Sequence, residues 1–242
     1  MNADDIILQL KTMGSVRNVE GMARFGISTE GTLGISVTTL RSFASPIRKE
    51  LRHEPERAHA LAAGLWASGI HEVRQLAVML DPPSLVTPAQ MDAWIADVDS
   101  WDVCDALAMD LFPRTPYAVE KALEWAHREP EFERRAAFAL MASLARRSQP
   151  YPDEAYEPFF GLIKQYAFDD RNFVKKAVNW ALRQIGKRND RLLLRAIEVA
   201  REVDAQDSRS ARWIAKDALR ELVPKVILGR PKAKPEKPAP IR

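Results

Sequence analysis

Three stretches hold side chains suited to chemistry on a charged, aromatic ligand. In VDSWDVCDALAMDLF, residues 98–112, Trp101 and Asp105 are four apart and share one face of a helix. Asp99 or Ser100 fits the N-cap, and Asp102 in the first turn suits the helix dipole. Asp105 lies a turn further in, where neither role applies. A carboxylate beside an indole can stabilise a developing positive charge; the structural alternative is a surface aspartate near a core tryptophan. In EFERRAAFALMASLARR, residues 131–147, Arg134 and Arg135 precede a long apolar run whose stripe is Phe132, Ala136, Ala139 and Leu140. That placement partly buries at least one guanidinium, whose planar fork suits phosphate. The competing use is a pair with Glu131, Glu133 or an acid of the preceding helix. In RNFVKKAVNWALRQIGKR, residues 171–188, Val174, Val178, Ala181, Leu182 and Ile185 fall on one helical side. Trp180 falls on the other, with Lys176, Arg183 and Lys187 at i−4, i+3 and i+7; Lys175 and Arg188 extend the run of cations. Either the next helical layer covers that ring, or the ring faces a nucleic acid while the cations meet phosphates.

The elements that must position these residues all read as helices. Patterns are predicted at 2–13, 17–25, 34–44, 54–69, 71–80, 88–98, 101–112, 116–128, 131–147, 153–168, 171–187, 190–203 and 206–223, separated by breaks rich in Pro, Asp, Asn and Ser. From residue 54 they pair at a spacing of roughly 35 to 40 residues, the period of a HEAT or armadillo solenoid. An irregular helical bundle is the plainer alternative. One repeat domain over 1–223 is expected, followed by a basic, Pro- and Lys-rich tail at 224–242 too poor in apolar residues to fold.

Composition narrows the class. The chain has 242 residues, 46% hydrophobic and 29% charged, with few glycines and abundant Ala, Leu, Arg and Glu, which is helical usage. Cys104 is the single cysteine, so no internal disulfide framework exists. The acidic start, MNADDIILQLKTMG, lacks the basic region and apolar run of a signal peptide, and no stretch suits a membrane span. A cytoplasmic protein without membrane partners is expected. The net charge of +3 divides into +5 on the tail and −2 on the body, so global charge says little about partners. Residues 171–195, by contrast, hold eight Lys or Arg against one acid, Asp190. His53, His59, His71 and His127 have no metal-ligand spacing, and no phosphate-binding or dinucleotide loop appears. Neither a metal nor a cofactor is expected.

SWDVCD, then FERRAA, then NFVKKAVNWALRQIGK, in this order and spacing, resemble the HEAT-repeat DNA glycosylases of the DNA alkylation repair family. LAAGLWASGIHEVRQLA at 61–77 and RFGIS near the start fit the same family, and the resemblance spans roughly residues 20–200. It implies an all-α, right-handed superhelical solenoid of HEAT-like antiparallel helix pairs with a concave basic face for duplex DNA. It implies hydrolysis of the glycosidic bond of N3- or N7-alkylated purines. It also implies a catalytic aspartate at Asp105, cleft tryptophans at Trp101 and Trp180, and a cleft arginine at Arg135 or Arg134. Phe132 stands where that family's pattern suggests a tryptophan, which leaves the arginine register open. The chemistry suits the residues: an alkylpurinium departs readily, and a carboxylate and indole faces stabilise the oxocarbenium-like sugar. The family is thought to trap its lesion at the protein surface without extruding it. DNA contacts are expected from Arg134, Lys175, Lys176, Arg183, Lys187 and Arg188 of a monomer, on duplex DNA containing alkylated bases. Two other readings stand beside this one: a non-catalytic binder of bent or branched DNA, which would not need Asp105, and a HEAT-repeat scaffold for proteins, which would lack a steep salt dependence of DNA affinity.

Overall fold

The computed structural model describes residues 2–146 and 151–227, and among them every regular element is helical. In chain order these are α1 (Ala3–Thr12), α2 (Val16–Ala23), α3 (Val37–Glu50), α4 (Pro55–Trp66), α5 (His71–Leu80), α6 (Pro88–Ala96), α7 (Trp101–Ala106), α8 (Ala118–Trp125), α9 (Glu131–Arg146), α10 (Glu157–Tyr166), α11 (Asn172–Gly186), α12 (Asp190–Asp204) and α13 (Arg209–Ile227). Local signals set many of the starts. Ser15, Ser36, Thr87 and Asn189 each accept an N–H of the turn they precede, and Asn2 and Asp5 form a capping box.

The helices stack in two layers. One layer runs α3, α5, α7, α9, α11, α13, each packed on the next; α4, α8, α10 and α12 pack behind them as the partners of α5, α9, α11 and α13. Side-chain bonds report the repeat directly. Arg183 reaches Glu221, Asn179 reaches Asp217, Lys164 reaches Glu202 and Arg195 reaches Glu157, each across 38 residues. Equivalent positions of adjacent repeats therefore lie side by side, as a solenoid requires. Between the layers runs a continuous apolar core in which Trp66 stacks on Trp94 with ring centroids 4.2 Å apart and Phe112 meets Trp125 edge-on at 5.8 Å.

Several boundaries depart from the sequence expectation. The stretch 101–112 is not one α-helix. It becomes a π-helical turn at Leu107–Leu111 and a 3-10 turn at Phe112–Arg114. Pro113 lacks the N–H that a continuing α-helix would send back to Met109. The helix expected at 34–44 instead begins at Val37 and continues through Pro46 to Glu50. Ser42, whose carbonyl loses its partner there, is exposed to water. The α13 helix likewise runs through Pro224 to Ile227, past the expected domain end at 223. The rest of the predicted tail, 228–242, lies outside the described residues. Among the described residues no helix is long and apolar enough to cross a membrane.

A cationic, aromatic cleft over a carboxylate–guanidinium pair

The N-terminal ends of α7, α9 and α11 converge with the loop after α2 on a cleft of about 530 Å³. Its walls are Arg24, Phe25 and Gly26 from the loop, Trp101 from α7, Arg135 from α9, and Asn172, Phe173 and Lys176 from α11. Three cations and three aromatic rings thus line one opening. Arg24 and Lys176 are exposed, and neither has an ion-pair partner among the described residues.

Asp105 is not among the lining residues; it stands behind Arg135. Arg135 donates to it through Nε at 3.0 Å and through Nη2 at 2.8 Å, while its Nη1 bonds the Phe173 carbonyl at 2.8 Å. One guanidinium therefore joins three consecutive repeats. Burial pushes the Asp105 carboxyl above the usual carboxylate range, and the adjacent Arg135 charge opposes that shift. Its side chain keeps 18% of its exposure, against 7% for Arg135. A carboxylate offers about four lone-pair sites, of which Arg135 takes two.

Trp101 is fixed by the N-terminal segment, its Nε1 donating to the Phe25 carbonyl at 3.1 Å. Gly26, at φ +81, turns that segment, and a Cβ there would stand 3.1 Å from the Phe173 ring tip. Glycine is needed for both reasons. Beneath the same segment, Glu72 of α5 is fully buried and accepts the N–H groups of Leu33, Gly34 and Ile35 at 2.7, 2.6 and 3.1 Å. The loop's backbone donors thus converge on one carboxylate of the repeat layer. Asp102 holds α7 to α5. It accepts from Gln75 at 2.9 Å and meets His71 Nε2 at 2.9 Å. Its first-turn position was legible, but its main work is this link. Burial resists the charge on both groups. The His71 pair outweighs it, leaving Asp102 below and His71 above their usual values.

The structure resolves the arginine ambiguity geometrically. Arg135 faces the cleft. Arg134 is buried on the other side, bonded to Asp169 at 2.9 Å and the Ala126 carbonyl at 3.1 Å, with its guanidinium 4.6 Å from the Tyr166 ring centroid. The remaining cations of α11 are mostly engaged. Arg183 and Lys187 pair with Glu221 of α13 at 2.8 and 2.9 Å. Arg188 bonds the Ala145 carbonyl at 3.0 Å and lies over Tyr156, and Lys175 lies 5.2 Å from the Trp213 ring centroid. Trp180 is partly buried against the core, one turn past Lys176 and outside the cleft lining. With the Gln184 amide turned to suit its neighbours, its oxygen accepts from Trp180 Nε1 at 3.1 Å and Lys187 Nζ at 3.0 Å. Sequence reasoning missed Phe173, Asn172 and the contribution of Arg24, Phe25 and Gly26. RFGIS, the one signal present, carried resemblance without a role. Among the described residues no group of three or more His, Cys, Asp or Glu is placed to hold a metal ion.

Residues 6–222 match the family described as DNA alkylation repair enzyme. The chain belongs to that family. Its fold is similar to a solved structure of "a new family of proteins related to the HEAT-like repeat DNA glycosylases with affinity for branched DNA structures", with a TM-score of 0.72. Identity is 19% over 92% of this chain and 96% of that one, a likeness of fold. No curated protein sequence matches. This member of the DNA alkylation repair family is accordingly an all-α solenoid of HEAT-like helix pairs, and the cleft lies at its repeat seams.

Proposed function

We propose that the protein is a DNA glycosylase that hydrolyses the N-glycosidic bond of N3- or N7-alkylated purines in duplex DNA, acting as a monomer. The observation that carries this reading is the Asp105–Arg135 pair, whose guanidinium lines a cleft walled by Trp101, Phe173 and Lys176. An alkylated purine is already cationic. When its bond to C1′ breaks, the electron pair goes to the base and neutralises it, so no acid is required at the leaving group. Positive charge then grows on the sugar. In this reading the Asp105 carboxylate stabilises that charge and takes the proton of the water whose oxygen bonds to C1′. The faces of Trp101 and Phe173 favour the same cation. Arg135 fixes the carboxylate, and Lys176 with Arg24 supplies phosphate contacts. Trp180 belongs to the flank of this surface. Arg183 and Lys187, paired with Glu221, contribute less charge to DNA than their number suggests.

Base release from methylated duplex DNA tests the reading, with 7-methylguanine and 3-methyladenine scored by mass spectrometry for wild type and Asp105→Asn. Release that collapses in the variant supports a glycosylase. One observation favours a second reading: both Asp105 oxygens are already engaged by Arg135, which suits a structural role in a non-catalytic binder of branched DNA. Tight, salt-sensitive binding of branched DNA without base release, unchanged in Asp105→Asn, would select it.

A further inference from the structure

A second cationic cavity, of about 200 Å³, lies away from the cleft, where α3, α5 and the irregular turns after α7 meet. Arg41 and Arg48 of α3 line it with Val78 and Met79 of α5, Asp110 of the π-helical turn and Arg114 of the 3-10 turn. The three guanidiniums against one carboxylate leave a charge of 3 − 1 = +2. None of the three arginines has an ion-pair or hydrogen-bond partner among the described residues. Many other arginines are matched, Arg57 with Glu50 and Glu54, Arg128 with Asp92 and Glu133, Arg195 with Glu157 and Glu202, whereas Arg24 at the cleft, like these three, is unpaired among the described residues. Helix dipoles account for cations in the last turn, which covers Arg48 and Arg114. They do not account for Arg41, which lies well inside α3, nor for the convergence of all three on one hollow.

We propose that this cavity is a phosphate-binding site whose occupant is a backbone phosphodiester of DNA, the same duplex that the cleft engages. The assignment rests on the DNA-binding part of the reading above, not on base release. The guanidinium fork matches phosphate oxygens in two-point fashion. All three arginines are exposed, so an isolated small anion gains little there against water and salt. A polyanion is different, because each neutralised phosphate releases condensed counterions and the gains accumulate along the strand. Position agrees. The cleft uses the N-terminal ends of α7, α9 and α11, while the cavity uses α3 from Arg41 to Arg48, the C-terminal end of α5 and the turns after α7. Arg114 is thirteen residues beyond Trp101, at the far end of α7 and the π and 3-10 turns that follow it. A duplex lying on that layer must then reach both places, which a short oligomer centred on the cleft would not do.

The test compares wild type, Arg41→Gln/Arg114→Gln and Asp110→Asn, each checked for native circular dichroism. Affinity for unmodified 20-base-pair duplex is measured across salt concentrations, with inorganic phosphate titrated separately. In the double variant the slope of log K against log salt is expected to fall by about 1 to 2, near 0.9 for each phosphate that is no longer neutralised. Asp110→Asn is expected to bind duplex more tightly, by severalfold. A duplex too short to span cleft and cavity should show no difference between wild type and the double variant. An unchanged slope in the double variant overturns the proposal. So does saturable binding of inorganic phosphate that the double variant abolishes while duplex affinity stays constant, since the cavity would then serve a free anion. Base release is scored apart from these slopes, so loss of the glycosylase reading alone leaves this result standing.

Discussion

Arg135 grips both oxygens of Asp105 across a repeat boundary and uses its remaining arm on the Phe173 carbonyl of the next repeat. The carboxylate's direction is therefore set by three helices, not by α7 alone. The fork is what makes this possible, since an ammonium is a single point of charge.

Arg135→Lys retains the charge and loses the geometry. Base release is expected to drop on the order of 100-fold, with stability lower by about 2 kcal/mol because charge-assisted hydrogen bonds disappear. Single-turnover kinetics at saturating enzyme, beside a thermal melt, separates the two effects. Full activity in the lysine variant would show that orientation of Asp105 is immaterial.

The cations of α11 divide by partner. Lys176→Gln is expected to reduce the salt slope of DNA binding by about 0.9, as for one phosphate. Arg183→Gln should leave that slope nearly unchanged, because Glu221 and Asp217 already face it, and should cost about 1 kcal/mol of stability instead. Equal slopes for the two variants would contradict this division.

The His71–Asp102 link has a definite pH window. His71 is raised above 6.5, so its contribution is complete below that pH and is lost as pH rises through the folded value. Asp102 is lowered below 3.8, so its contribution is complete above that pH and is lost as pH falls through the folded value. The pair is strongest between 3.8 and 6.5, with Glu72 and Asp99 adding to the field on His71. The melting-temperature gap between wild type and His71→Gln should narrow as pH rises from about 6 to about 8.5. NMR titration of His71 should place its midpoint above 6.5. A midpoint below that value refutes the assignment.

Glu72→Gln removes the charge that three backbone donors share. The expected loss is about 3 kcal/mol, with hydrogen exchange accelerated first at Leu33, Gly34 and Ile35 and then at Phe25. Uniform acceleration across all repeats would instead mean that Glu72 supports the whole fold and not the segment that roofs the cleft.

Much of the fold and part of the cleft were readable from local pattern. Trp101, which lines the cleft, stood out by its spacing from Asp105 on one helix, and the repeat by its period. Arg135 could not be told from Arg134, because adjacent residues diverge by one helical step and only partners in neighbouring repeats decide which faces the cleft. The same blindness inflated the charge of 171–195. Glu221 and Asp217, 38 and 34 residues beyond Arg183, and Glu157, 38 residues before Arg195, are invisible to a count along 171–195. Phe173 was passed over since a ring at a helix start looks like packing until Gly26 is found against it. The break at Leu107 was hidden by an apolar run that suits α and π turns equally.

The 38-residue ladder couples α11 to α13 at equivalent positions of neighbouring repeats. Each repeat touches only its neighbours, so a small rotation at one seam is passed on to the next and summed along the stack. Arg135 spans two such seams, which ties the distance between Trp101 and Phe173 to the curvature of the whole superhelix. A ligand that bends the stack at either seam therefore changes the width of the cleft, and one that widens the cleft bends the stack.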